Sequence, residues 1–280
     1  MSYLRPPSRS AARAFLAARA SAGSAPVGGG GAVADRPGLG VPGYAHPLVA
    51  PVEWAELARP GVPLDWVAVH VAAGGAGARA DPYCASAIAA LRRAGVEVLG
   101  RLDLRRGARD FGEVLREAHH FLEWYGVDGF YLARAPADPE GFAGVERVTT
   151  TLRALAGDGG DGRGGGDGVR HRMVLDPECH PHRDYVELAD QLVTFSGPWH
   201  DYRWSQAAQW TADHPPHRFC HLVHGVPATH LDEAVRIARW QGAGTVYLTD
   251  RTRHQGLDPW ESLPGYWDEI VSKLGPDAGE

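Results

Sequence analysis

The chain has 280 residues, 44% of them apolar, and a net charge of −6. Such a length and apolar share suffice for a core that needs no disulfide or metal to hold it, and the three scattered cysteines, Cys84, Cys179 and Cys220, form no disulfide framework. The acidic balance leaves no basic footprint for nucleic acid or an anionic membrane.

Residues 1 to about 37 are Ala, Gly, Ser, Pro and Arg without any period, a composition expected to stay a disordered tail. The longest apolar run there, Ala14-Phe15-Leu16-Ala17-Ala18, falls short of the roughly 7–15 residues of a secretory h-region. No signal peptide is therefore expected, and the expected location is the cytoplasm. No stretch approaches the roughly 20 apolar residues of a membrane span.

From residue 38 to 275 the chain alternates two patterns. Short apolar runs bounded by turn residues predict strands at 39–45, 65–72, 96–102, 127–132, 172–176, 191–195, 219–224 and 244–249. Helical patterns follow each in turn: Trp54 to Ala58, Pro82 to Ala94, Phe111 to Tyr125, Phe142 to Leu155, Asp184 to Ala189, Tyr202 to Ala212, Leu231 to Gln241, and Pro259 to Leu274. Gly95, Gly126 and Gly242 stand where helix-terminating glycines belong. A glycine-rich run at 157–168 reads as a loop insertion; it lacks the Gly-Lys-Ser/Thr ending of a phosphate loop. Eight nearly continuous apolar strands with intervening helices predict an α/β fold, a single (β/α)8 TIM barrel. An open doubly wound sheet would carry a glycine fingerprint after its first strand, and Gly43-Tyr44-Ala45-His46-Pro47 is not one.

Function in such a barrel sits at the carboxyl ends of the strands. Those ends are Tyr44 and His46, His70, Asp103, Tyr131 with Ala133 and Arg134, Asp176, Ser196, His221 and His224, then Thr249 and Asp250. Trp199, Tyr202 and Trp204 follow the sixth strand, and Trp260, Tyr266 and Trp267 the eighth. Sugars present apolar ring faces and hydroxyl edges, so a ring of aromatic and hydrogen-bonding side chains suits them. Tyr44, His46, His70, Tyr131, Arg134, Ser196, Trp199 and His224 are the candidate binding residues. Trp54, Trp66, Trp124, Trp210 and Trp240 read as packing between helices and barrel.

Neither a His-Glu-x-x-His helix nor a Cys-x-x-Cys pair occurs, and Glu178-Cys179-His180-Pro181-His182 sits in a proline-containing loop, so no metal or other cofactor is expected. His221 and His224, three apart in a strand, should face opposite ways. No Gly-x-Ser-x-Gly elbow marks a serine nucleophile.

Val41-Pro42-Gly43-Tyr44-Ala45-His46-Pro47, Gly95-Val96-Glu97-Val98-Leu99-Gly100, Trp124-Tyr125-Gly126-Val127-Asp128-Gly129-Phe130 and Leu263-Pro264-Gly265-Tyr266-Trp267 occur in an order that resembles the spherulation-specific family 4 (spherulin 4) proteins. The resemblance runs from about residue 40 to 272. It implies a barrel related to glycoside hydrolases that cut galactosamine-containing polysaccharides. The family's fourth strand typically ends in Asp-Glu, matched here by Ala133 and Arg134; its sixth ends in Phe-Glu, matched by Phe195 and Ser196. Strand-end asparagines on the second and fifth strands are matched by His70 and Asp176. Glycoside hydrolysis normally needs two carboxyls, and all three matched acids are replaced, at Ala133, Arg134 and Ser196. A permanent cation at Arg134 would further hold nearby carboxyls ionised, against a general acid.

Two readings follow. One is a barrel that binds a small carbohydrate or other polar, even anionic, ligand through Arg134 without cutting it. The other is a hydrolase with relocated acids at Asp103, Asp176 or Asp250. A third, acid/base chemistry by His46, His70 or His224 near neutral pH, is open as well.

Overall fold

The computed structural model describes residues 36–43, 45–71, 75–157, 171–253 and 258–275. The expected tail and glycine-rich insertion fall mostly outside these residues. Eight parallel strands, β1 (Gly38–Val41), β2 (Leu64–Val69), β3 (Glu97–Asp103), β4 (Gly129–Ala133), β5 (Arg172–Asp176), β6 (Gln191–Pro198), β7 (Phe219–His224) and β8 (Thr245–Thr249), close into a barrel in chain order. Closure comes from β1 on β8, with Gly38 opposite Thr245 and Leu39 opposite Val246.

Helices α1 (Pro51–Leu57), α2 (Pro82–Arg93), α3 (Phe111–His120), α4 (Phe142–Gly157), α5 (Trp199–Tyr202), α6 (Leu231–Gln241) and α7 (Trp267–Leu274) lie between and after the strands. Their starts follow capping chemistry. Asp81 accepts the N–H groups of Tyr83 and Cys84 ahead of Pro82, and Asp110 accepts that of Glu113. In α6, Leu231, Ala234, Ala238 and Gln241 are buried at helical spacing, and Gly242 ends it in the left-handed region at φ 81°. None of these helices is long and apolar enough to cross a membrane.

Three of the expected helices differ from what forms. After β5 only a 3-10 turn, Arg183–Glu187, is present, and α7 begins at Trp267 rather than Pro259. After β6 the helix stops at Tyr202. Gln241 then donates to both the carbonyl and the Oγ of Ser205, and a buried Gln partner for the backbone replaces the helical bond. Pro215 and Pro216 lead from there to β7 and disallow a regular helix.

The floor of the barrel is a polar chain inside an apolar shell. Trp66 donates to Gln191 at 2.7 Å, and Gln191 donates to Thr245 at 2.8 Å. Gly40 makes room: a Cβ there would lie 2.4 Å from the Trp66 ring. Tyr131 packs on Trp66 at 5.5 Å and opens the next layer upward. Burial of Trp66, Tyr131 and Tyr247, all essentially inaccessible, contributes roughly 1.5–3 kcal/mol each.

Candidate functional site

Strand register builds the mouth in rungs. Arg101, Tyr131 and Val174 lie side by side on β3, β4 and β5, and Asp103, Ala133 and Asp176 form the rung above. Ala133 thus separates two acids. On the far side, His224 pairs with Pro198 and Thr249, and Trp260 leans on His224 at 5.7 Å and on Tyr247 at 5.9 Å.

The three candidate acids are each tied off differently. Arg134 donates from Nε to Asp103 at 2.9 Å and from Nη2 to its second oxygen. Burial alone would raise the Asp103 carboxyl, but Arg134, the Arg105 N–H and Arg101 together outweigh it and hold the group below its ordinary 3.8. Asp176 is buried; it accepts the Tyr131 hydroxyl at 2.6 Å and the Glu178 N–H at 2.8 Å. Here burial wins over both hydrogen bonds and pushes the carboxyl up. Asp250 accepts the Gly265 N–H at 2.9 Å and fastens the closing loop.

Beside these acids lies a cavity of about 190 Å³ lined by Pro42, Gly43, His70, Arg101, Asp258, Trp260 and Glu261. A neighbouring cavity of about 470 Å³ shares Asp258 and Glu261 and extends past Ala45 and Asp250. Nδ1 of His70 and Nδ1 of His224 are buried with no hydrogen-bond partner among the described residues. Burial first, then the charge of Arg101 on His70 and of Arg253 on His224, keeps both rings neutral by lowering their pKa. The His70 ring, a cation, two carboxylates and an indole make a hydrogen-bonding pocket with one apolar wall.

Four residues just past β3, β4 and β5 adopt left-handed backbone without being glycine: Arg105, Arg106, Arg134 and Glu178. Their side chains form the rim, where Arg106 also pairs with Glu178 at 3.0 Å. Backbone strain gathered at one barrel end fits a functional rim.

The β3–β5 side of the mouth therefore gathers Tyr131, Asp103, Asp176 and Arg134, while His70 lines the cavity with Arg101 and His224 packs on Trp260. Ser196, opposite Leu222 in the sheet, also lines a separate cavity of about 260 Å³ behind β6. There His221 faces outward, as alternation requires: its Nδ1 shares a hydrogen bond with the Tyr202 hydroxyl at 2.8 Å and its Nε2 one with the Thr194 hydroxyl at 3.1 Å. Trp199 is buried against His230 and Tyr202. His46 turns toward Asp81 and Cys84. Tyr44 lies outside the described residues. Arg101, Asp258 and Glu261 were absent from the strand-end reading. Arg101 could have been found by alternation, since it shares a face with Asp103; the loop acids carry no sequence signal.

The profile of spherulation-specific family 4 matches residues 39–274. Among solved structures, the chain is similar to Aspergillus clavatus Sph3 in complex with GalNAc, at 21% identity and a TM-score of 0.70, covering 87% of this chain and 99% of that one. No curated protein sequence matches it.

Proposed function

The chain belongs to spherulation-specific family 4, and on that premise we propose that it is a carbohydrate-binding barrel that has lost the family's hydrolytic acids. The ligand is an amino-sugar unit such as N-acetylgalactosamine, the sugar bound by the similar Sph3 structure. It sits in the cavity between His70, Arg101 and Trp260, with its apolar ring face on the indole and its hydroxyls on the Arg101 guanidinium and the Asp258 and Glu261 carboxylates. One observation carries the reading: every strand-end carboxyl of the mouth is already committed, Asp103 to Arg134, Asp176 to Tyr131, Asp250 to Gly265. A glycosidase needs one carboxyl to give a proton and a second to act as base or nucleophile. Calorimetric titration with N-acetylgalactosamine, galactosamine and a galactosamine oligomer tests this. Binding without release of reducing ends supports it, and turnover of the oligomer contradicts it.

A second reading is favoured by Asp176 itself. Its carboxyl is pushed toward the protonated form, as a general acid requires. In that case Asp258 or Glu261 supplies the partner, oligomer cleavage is measurable, and Asp176→Asn abolishes it.

A further inference from the structure

At the rim, the loop after β1 meets the start of α2, and three metal-binding side chains from the two segments converge. His46 Nε2 lies 3.3 Å from Cys84 Sγ and 3.5 Å from Asp81 Oδ1, and one donor atom from each residue falls within 4.8 Å of the others. We propose that His46, Asp81 and Cys84 form a site for a divalent transition metal of the zinc type, made of residues that do not line the sugar pocket.

The spacing argues for it. A tetrahedral ion with bonds of about 2.0–2.1 Å to nitrogen and oxygen and about 2.3 Å to sulfur sets its ligands roughly 3.4–3.6 Å apart. The Nε2–Sγ separation of 3.3 Å lies within a few tenths of an ångström of such an edge before any ion is present. Charge also balances, since one thiolate and one carboxylate neutralise a divalent ion while the imidazole stays neutral. Three protein ligands leave one tetrahedral position for water or a ligand atom. Both capping bonds from Tyr83 and Cys84 fall on Asp81 Oδ1, which leaves Oδ2 for the ion.

Two protons must be accounted for on loading. The Cys84 thiol proton is released to solvent. His46 Nδ1 now accepts the Leu48 N–H at 3.2 Å, which sets the ring proton on Nε2. That proton moves to Nδ1 when the ion takes Nε2, and the Leu48 N–H turns to water; Leu48 is 60% exposed, so solvent reaches it. Cys84 is buried while His46 and Asp81 are about a quarter exposed, so the site opens to solvent on one side only.

Titration of the full chain with Co2+ tests the site by absorbance, and Zn2+ competition with a chromophoric chelator gives the affinity. One Co2+ per chain is expected, with a thiolate-to-cobalt charge-transfer band. His46→Ala and Cys84→Ser should each weaken binding by more than about 100-fold, beyond the tenfold to hundredfold effect of an outer partner. Cys179→Ser, at an exposed thiol, should change nothing. Asp81→Asn keeps a good capping residue and should lower affinity with the helix intact. Should Cys84→Ser not fold, the partly exposed His46 variant decides. The proposal is overturned if the wild type shows no charge-transfer band, or if the band survives Cys84→Ser or His46→Ala.

Discussion

Arg134 and Asp103 face each other across β3 and β4 as a fork on a carboxylate, with Nε 2.9 Å from one oxygen and Nη2 on the other. The cation just past β4 thus holds the nearest strand-end carboxyl ionised. Because Arg134 is close to half exposed, solvent screens the pair, and its loss should cost no more than about 1 kcal/mol. Arg134 also holds a φ of 48°. Arg134→Gly should therefore be more stable than Arg134→Ala by about 0.5–1 kcal/mol, checked by urea denaturation.

The two acids of that rung titrate in opposite senses. The Asp103 carboxyl is held below 3.8, so its stabilisation is present above that pH and fades as pH falls further. The Asp176 carboxyl is raised above 3.8, so its contribution is present below that pH and is lost as pH rises through the folded value. Asp176→Asn should remove this second effect and be at least as stable as the wild type at pH 7. Thermal melts from pH 4 to pH 7 read the difference directly.

Tyr131→Phe leaves one oxygen of Asp176 without its buried donor. A loss of about 1–3 kcal/mol is expected. Because the Tyr131 bond lowers the Asp176 pKa, that carboxyl should titrate still higher in the variant, visible by carboxyl NMR.

His221 is buried and neutral, its pKa brought down to about 3 by burial and by nearby His180. The unfolded chain takes up this proton near pH 6.5 and the folded one does not. Stability should fall on acidification below about 6.5 with a slope near 1.4 kcal/mol per pH unit from this one group. Replacing His221 with Gln should flatten that slope in acid denaturation curves.

How much of this was legible in the chain differs by level. The eight strands were, because inward and outward faces are both apolar and Gly126 and Gly242 end their helices in the left-handed region. The irregular path after α5 was not: residues 202–212 carry a helical pattern, and the Ser205 backbone instead takes a bond from Gln241, 36 residues away. Strand ends pointed to Asp103 and Asp176, which end up on one rung either side of Ala133, and to His224, which packs on Trp260. Arg101 was overlooked because it lies two residues inside its strand. The approach of His46 to Cys84 joins residues 38 apart, one in the loop after β1 and one in the first turn of α2, and no local pattern encodes it.

Gly43 gives the most economical test of the pocket's place. A Cβ there would sit 3.8 Å from His70 and 3.9 Å from Arg101, ordinary contact distances. Gly43→Val should fold normally by circular dichroism, with branches that fill the cavity and weaken sugar binding more than tenfold.

The central claim is that the mouth holds a sugar around Arg101 and leaves it intact. Calorimetric titration of the wild type and Arg101→Met with N-acetylgalactosamine, followed by a reducing-end assay on protein incubated with a galactosamine oligomer, measures both halves. Saturable binding by the wild type, its loss in Arg101→Met, and no new reducing ends are the predicted outcome. No heat of binding from the wild type, or oligomer cleavage that Asp176→Asn abolishes, would contradict it.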